Sequence, residues 1–448
     1  MKRLTALLLT AVISTGFLTG CNQRSVKDVE TVRIWTSSSH SFGKEINFIN
    51  NYNKAEGREK GIYIDYILKA YNLYEEMEKA VATDNAPEFS SWVDFMDAAK
   101  QGSIVAIDDL PGGSQLLREH KEKGLIYAPY TEYNGKIYAL PIGVGTQGLI
   151  YNKDMFKAAG LVGENGEAVP PETLYEMRDY AKKLTNPKKG KYGIIFPMAW
   201  DNVKAYKGEN SYELWFSQDI MSMVVASIGK TAYEKSQGLG EVFQPYMKTV
   251  IDMRNDGSIY PGAETMTNES ARAIFSGGGI GMKISSAFDV AVFNYQFPVK
   301  DDWGVAPVPV LNKGERYKQV GSYNCTNMIS RAALEKVTPE KLTEVLKLFV
   351  SDEYKTMLYE EGLQIPYGLD VSGISTENMP NGWVDFKNLS ENSELIEGGL
   401  MAAGNRLPQI FVEDVFVGNG NLEQEIQKDT ERVLELWAKE DAEKAENN

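Results

Sequence analysis

Apolar positions along this chain switch between two periods, two residues and about 3.6, as strands and helices require. Val32 and Ile34 alternate with polar neighbours and predict a strand over 31–35. The polar loop Thr36-Ser37-Ser38-Ser39-His40 follows, and Phe42, Ile46 and Ile49 then fall on one helical stripe. Ile62, Ile64 and Tyr66 mark a second strand, and Tyr74, Met77 and Val81 a helix. Leu174, Met177, Ala181 and Leu184 form the stripe of a helix beginning near Pro171, and 192–196 reads as a strand. Stretches 212–228 and 242–253 read as helices. Ala271, Ile274 and Phe275 line a helix that runs into three glycines, 277–279, and then an apolar strand. Thr338-Pro339 starts another helix, with Leu342, Val345, Leu346, Phe349 and Val350 inside. Tyr354, Met357 and Leu358 mark the next, and Leu422, Ile426, Val433 and Trp437 the last. Strand, loop and helix in repeated order predict an α/β protein.

The centre of the pattern is 134–161, NGKIYALPIGVGTQGLIYNKDMFKAAGL. Asn134-Gly135 signals a turn, followed by a strand over 137–140. Pro141 has no N–H for a ladder and is expected to end that strand. Gly143 and Gly145 then make a permissive step. A second strand, 149–151, leads into a helix carrying Met155, Phe156 and Ala159. Two strands joined by a glycine step suit a chain that leaves one lobe and enters another, because a hinge needs residues that absorb a φ/ψ change.

Length and charge narrow the picture. A chain of 448 residues exceeds one ordinary core, so two domains are expected. With Lys+Arg 47 and Asp+Glu 62 the net charge is −15, which disfavours a nucleic-acid partner. His40 and His120 are the only histidines, which argues against a His-rich metal site or a His-based triad. No Gly-x-Ser-x-Gly elbow or His-Glu-x-x-His helix occurs, so no catalytic residue, metal or cofactor is expected. The glycines at 277–279 follow a helix and precede a strand, the reverse of a phosphate loop, and are expected to be a turn. No solenoid-length repeat is visible.

The first residues carry their own signal. Lys2 and Arg3 precede a mostly apolar run, 4–17, too short for a comfortable membrane span and suited to a secretory signal. Leu18-Thr19-Gly20-Cys21 resembles the bacterial lipobox, whose cysteine receives a diacylglycerol; an ordinary signal with an incidental cysteine is the other reading. With Cys21 lipidated, Cys325 has no intrachain partner. Residues 22–30 are polar and short, a tether.

Three pieces of the central stretch, GKIYALP, GVGT and LIYNKDMFKAAGL, resemble in order and spacing the first inter-lobe crossover of the family 1 extracellular solute-binding proteins, the group that includes maltodextrin-binding proteins. APEFSSWVDFMDAAKQGSIVAIDDL resembles the family's third strand, with Pro87-Glu88 for the usual Pro-Asp. TNESARAIFSGGGIGMKISSAFDV resembles its helix–turn–strand unit, WGVAPVPV the strand before a second crossover, and GNRLPQIFVEDV a late cleft-lining segment. The resemblance implies an α/β, two-lobed periplasmic-binding-protein-like fold, with a ligand cleft between lobes joined by crossover hinges. Residues 1–20 would be the signal peptide and 21–30 the tether. Residues 31–146 and 326–375 would form the N-lobe and 147–321 and 385–448 the C-lobe, with crossovers at 322–325 and 376–384.

Candidate contacts lie beyond strand ends, where open α/β sheets bind ligands. Ser38 and Ser39 would either line the cleft or belong to a serine-rich turn capping the helix. Trp92 and Asp94, and again Trp200 and Asp201, set a ring beside a carboxylate, which suits a sugar's C–H face and hydroxyls. Trp92 as a core residue and Asp94 as a helix cap are the alternatives. Phe288 stands where sugar-binding relatives commonly carry a stacking Trp. The crossovers add Thr146, Gln147, Tyr323 and Asn324, and the late segment Arg406, Gln409 and Phe411. Clustered Arg or Lys at strand ends, which a polyol phosphate would want, is not visible in the sequence.

The resemblance implies a monomeric lipoprotein held at the outer face of the cell membrane through Cys21. It would capture a carbohydrate, an oligosaccharide by expectation, and deliver it to the permease subunits of an ABC importer. A secreted glycoside-processing enzyme using Asp94 and Asp201, with the two carboxyls flanking the scissile bond, is a second reading. A sugar-sensing lipoprotein is a third.

Overall fold

The computed structural model describes residues 29–69, 73–90, 95–125, 131–199, 214–236, 239–395 and 411–428, with scattered positions up to 438. The first part of the chain supplies β1 (Glu30–Thr36), β2 (Ile62–Leu68), β3 (Phe89–Ser90) and β4 (Ile104–Val105). A small hairpin, β5 (Glu132–Tyr133) and β6 (Lys136–Ile137), precedes the long β7 (Pro141–Asn152). Then come β8 (Tyr192–Ile194), β9 (Ile280–Ser286), β10 (Trp303–Ala306) and β11 (Gln319–Cys325). The last strands are β12 (Met328–Ser330), β13 (Ile365–Pro366) and β14 (Ser393–Leu395).

These strands make two large sheets. One has the order β2-β1-β3-β12-β4, with β1 parallel to β2 and β3 and with β12 antiparallel to its neighbours. The other has the order β14-β11-β7-β9-β8, with β10 and β13 also pairing with β7. Each sheet has its own core. Val32, Ile34, Ile64, Phe89 and Ile329 pack with Leu342 and Leu346 under the first. Leu149, Tyr151, Met282 and Ile284 pack under the helix Leu214–Ile228 on one face of the second. Burial of two separate apolar clusters is the physical basis of the two lobes.

β7 corrects the reading of the central stretch. Pro141 does not end a strand; it is the first residue of a single 12-residue strand, where a missing N–H costs little. The expected strand over 137–140 shrinks to Lys136–Ile137 in the hairpin, and 149–151 belongs to β7 itself. The glycines serve proximity rather than a bend. None of Gly143, Gly145 and Gly148 has a positive φ. A Cβ at Gly143 would lie 3.2 Å from the Ile365 carbonyl oxygen, and one at Gly148 would press on Phe386 and Leu389 of the helix Trp383–Glu391, while one at Gly145 would make ordinary contact with the Phe288 ring.

β7 is a spine that changes partners. Its residues 143–146 pair with β11 and 147–151 with β9. The helix expected near Pro171 begins at Leu174, because Thr173 and Glu176 form a reciprocal capping box that sets the start. The glycines at 277–279 are a turn, with φ of 88° at Gly278 and 84° at Gly279, between the helix Asn268–Ser276 and β9. Among the described residues no helix is long and apolar enough to cross a membrane.

Candidate binding site

The loop after β1 and the segment after β9 come from different sheets, and they touch. The His40 and Phe288 ring centroids are 5.9 Å apart at 50°. Behind His40 the loop is anchored by Glu45, a buried carboxyl that accepts from Ser41 Oγ at 2.9 Å, Tyr66 Oη at 2.9 Å and Tyr354 Oη at 2.7 Å. Burial pushes that carboxyl up, against its three donors. Ser38 and Ser39 are half-buried in this loop. The helix Phe42–Lys54 has Ser41 at its N-cap and takes no side-chain cap, so neither Ser38 nor Ser39 serves as one. The loop closes instead through the Phe42 amide, which donates to Ser38 O at 3.1 Å.

Thr146 and Gln147 lie buried in β7, and Tyr323 and Asn324 half-buried in β11, where Tyr323 faces Val144 and Asn324 faces Gly143. The Tyr323 ring meets Tyr367 edge-on at 5.0 Å. Gln147 donates from Nε2 to Gln218 Oε1 at 3.1 Å, and its main-chain carbonyl accepts from Gln319 Nε2 at 3.0 Å. Its own Oε1 is buried and has no hydrogen-bond partner among the described residues. Ser286, opposite Gln147 across β7 and β9, buries an equally unpartnered Oγ. Phe288 is half-buried just past β9. Thus Ser38, Ser39, Thr146, Gln147, Phe288, Tyr323 and Asn324 gather where the two sheets meet. Trp92, Asp94, Trp200, Asp201, Arg406, Gln409 and Cys21 lie outside the described residues. Phe411 belongs to the core under the second sheet, stacked on Phe216 at 6.1 Å, and is not a cleft aromatic. Cys325 is a free thiol whose pKa burial pushes up to about 12.

The sequence reading missed a buried charge cluster directly under Phe288. Asp289 pairs with Arg272, and Lys283 Nζ lies 3.8 Å from it. Lys283 also donates to Ile284 O at 2.8 Å and Ser285 Oγ at 3.1 Å. Lys283 lies mid-strand and Arg272 on the helix Asn268–Ser276, so the two are not the strand-end cluster a polyol phosphate would want, and both are engaged by a carboxylate. The cluster reaches His40: burial, then Arg272, lowers its pKa to about 4 against the pull of Asp289. The available signal was Lys283 itself, a charge inside the apolar run of β9. Asp219 gave a similar one, a lone carboxyl in the helix Leu214–Ile228. Among the described residues no cluster could hold a metal ion.

The pattern that defines the family described as bacterial extracellular solute-binding protein matches residues 48–351. A putative binding protein of Brucella abortus is 25% identical over 196 residues, 44% of this chain and 42% of that protein. The maltotriose-binding protein of Pyrococcus abyssi is 27% identical over 256 residues, 55% of this chain and 47% of that protein. The chain thus spans less than half the length of these relatives. A solved structure concerned with xylan utilisation in Caldanaerobius polysaccharolyticus superposes with a TM-score of 0.68 at 16% identity, covering 90% of this chain and 99% of that one. Two sheets that meet at β7 and a match over residues 48–351 agree, and the chain belongs to the bacterial extracellular solute-binding proteins, a family of binding proteins.

Proposed function

We propose that this protein captures a neutral carbohydrate, an oligosaccharide by preference, and delivers it to an ABC importer from a lipid anchor at Cys21. The observation that carries the reading is the pair of unpartnered buried polar atoms, Gln147 Oε1 and Ser286 Oγ, at the junction of the lobes beside Phe288. Hydroxyls entering the cleft would satisfy them, while the ring faces offer packing for sugar C–H groups. The maltotriose named for the Pyrococcus relative and the xylan named for the structural neighbour support that chemistry. On sequence grounds Trp92, Asp94, Trp200, Asp201 and Arg406 join the contacts, and the lobes divide at 31–146 with 326–375 and at 147–321 with 385–448. Thermal melts with mono- and oligosaccharides test the reading. A ligand that binds the folded state stabilises it by ~2.7 kcal/mol at a hundred-fold excess over its Kd. A panel in which no saccharide raises the Tm would reject carbohydrate capture.

Two further outcomes are expected. Cys21→Ala should move the protein from the membrane to the soluble fraction with unchanged ligand affinity; a membrane-bound variant would refute the anchor. Saturating ligand should reduce the radius of gyration in small-angle scattering, as lobe closure requires. An unchanged radius would leave no hinge closure to explain.

A further inference from the structure

Gln147 and Ser286 stand directly opposite each other on antiparallel strands, so their side chains rise from the same face with Cβ atoms about 4.5–5.5 Å apart. That face also carries Leu149, Tyr151, Met282 and Ile284 into the core beneath the helix Leu214–Ile228. The helix meets the pair through Gln218, which holds Gln147 Nε2. The next residue, Asp219, is 4% exposed and makes no hydrogen bond to a described residue. Lys283 and Asp289 act on it through space, yet Lys283 gives its own hydrogen bonds to Ile284 O and Ser285 Oγ. The Gln147 amide oxygen and the Ser286 hydroxyl are thus without a hydrogen-bond partner among the described residues, and the Asp219 carboxyl lies buried one residue from the Gln218 that holds Gln147. Each buried polar group left unmatched costs about 1–3 kcal/mol, and two facing each other beside a buried carboxyl need a reason.

We infer that Gln147, Asp219 and Ser286 form a subsite that reads neighbouring hydroxyls on one neutral sugar residue of the bound ligand. The reading rests on the carbohydrate proposal above. Hydroxyls suit the set because each both donates and accepts. Burial pushes the Asp219 carboxyl up to about 8, against Lys283 and with Asp289, so near neutral pH it is an uncharged acid, with one donor and an acceptor oxygen. A phosphate or carboxylate has only acceptors to set against Gln147 Oε1. A ligand ammonium would have to enter beside Lys283 and Arg272.

The test uses the full chain, with maltotriose, mannotriose, D-mannitol and glycerol phosphate as probes. Wild-type protein should bind at least one neutral probe and bind glycerol phosphate more weakly. With that neutral probe, titration calorimetry should show Asp219→Asn close to wild type, since the amide keeps a donor and an acceptor. Asp219→Leu and Ser286→Ala should each weaken binding by about tenfold or more. Ser286→Ala removes one oxygen and keeps the test open should Asp219→Leu fail to fold. Neutral binding that survives Asp219→Leu or Ser286→Ala unchanged would overturn the subsite and leave carbohydrate capture standing. Tighter binding of glycerol phosphate would also overturn the subsite. Failure of every neutral probe would remove both.

Discussion

Replacing Asp289 by alanine is expected to destabilise the fold by about 3 kcal/mol, because it takes a shared carboxylate from two buried cations and leaves Arg272 paired with Glu269 at 3.4 Å and Lys283 on neutral oxygens. Asp289 is 1% exposed, Arg272 6% and Lys283 2%. Asp289 receives the Arg272 guanidinium directly and is the carboxylate nearest Lys283. Burial alone would push this carboxyl up, but Arg272 and Lys283 outweigh it and hold it below its ordinary value of 3.8. A carboxyl lowered in the folded state contributes stability at pH values above its unfolded pKa. That contribution is lost as pH falls through the lower folded value. Asp289→Ala should therefore melt well below wild type at pH 7, with the gap closing in strong acid. The cluster lies under Phe288 and reaches His40, so the same variant should also lose ligand affinity. A melting loss worth less than about 1 kcal/mol at pH 7 would show that Glu269 and the neutral oxygens suffice for Arg272 and Lys283.

Asp219→Asn should act in the opposite direction. The Asp219 carboxyl goes from 3.8 in an unfolded chain to about 8 in the fold. Between those values the folded protein holds a proton that the unfolded chain releases, so wild-type stability falls as pH rises, by about 1.4 kcal/mol per pH unit. Asparagine carries no such proton. The two proteins should melt together near pH 4, and the variant should be the more stable at pH 8, by an amount on the order of 5 kcal/mol. Because the two proteins differ only at residue 219, the difference between the two curves reports Asp219 together with its effect on Lys283 and Asp289. Parallel curves from pH 4 to 8 would mean that the carboxyl ionises freely. A group that weakens the fold where the protein works is the kind retained for binding.

Local pattern was enough for much of this protein. The Leu174–Met177–Ala181–Leu184 stripe is buried as its spacing requires, and the helix–glycine–strand order around Gly277 to Gly279 is a turn. The pieces around 134–161 carried the family resemblance, and the family match spans that stretch. These features depend on neighbours within a turn or two of chain, so the sequence alone determined them. The tertiary structure decided what depends on distant partners. Pro141 begins a strand because Cys325 lies opposite it, and Gly148 is small because Phe386 and Leu389 pack there. Gln147 faces Ser286 only because β7 and β9 pair in that register, and a one-residue slip of either strand would turn its side chain to the other face. Lys283, Arg272 and Asp289 become a cluster only when the helix Asn268–Ser276 folds back beside β9. Periodicity reports which face a residue is on; pairing register and close packing, set between segments far apart in the chain, report what it meets there.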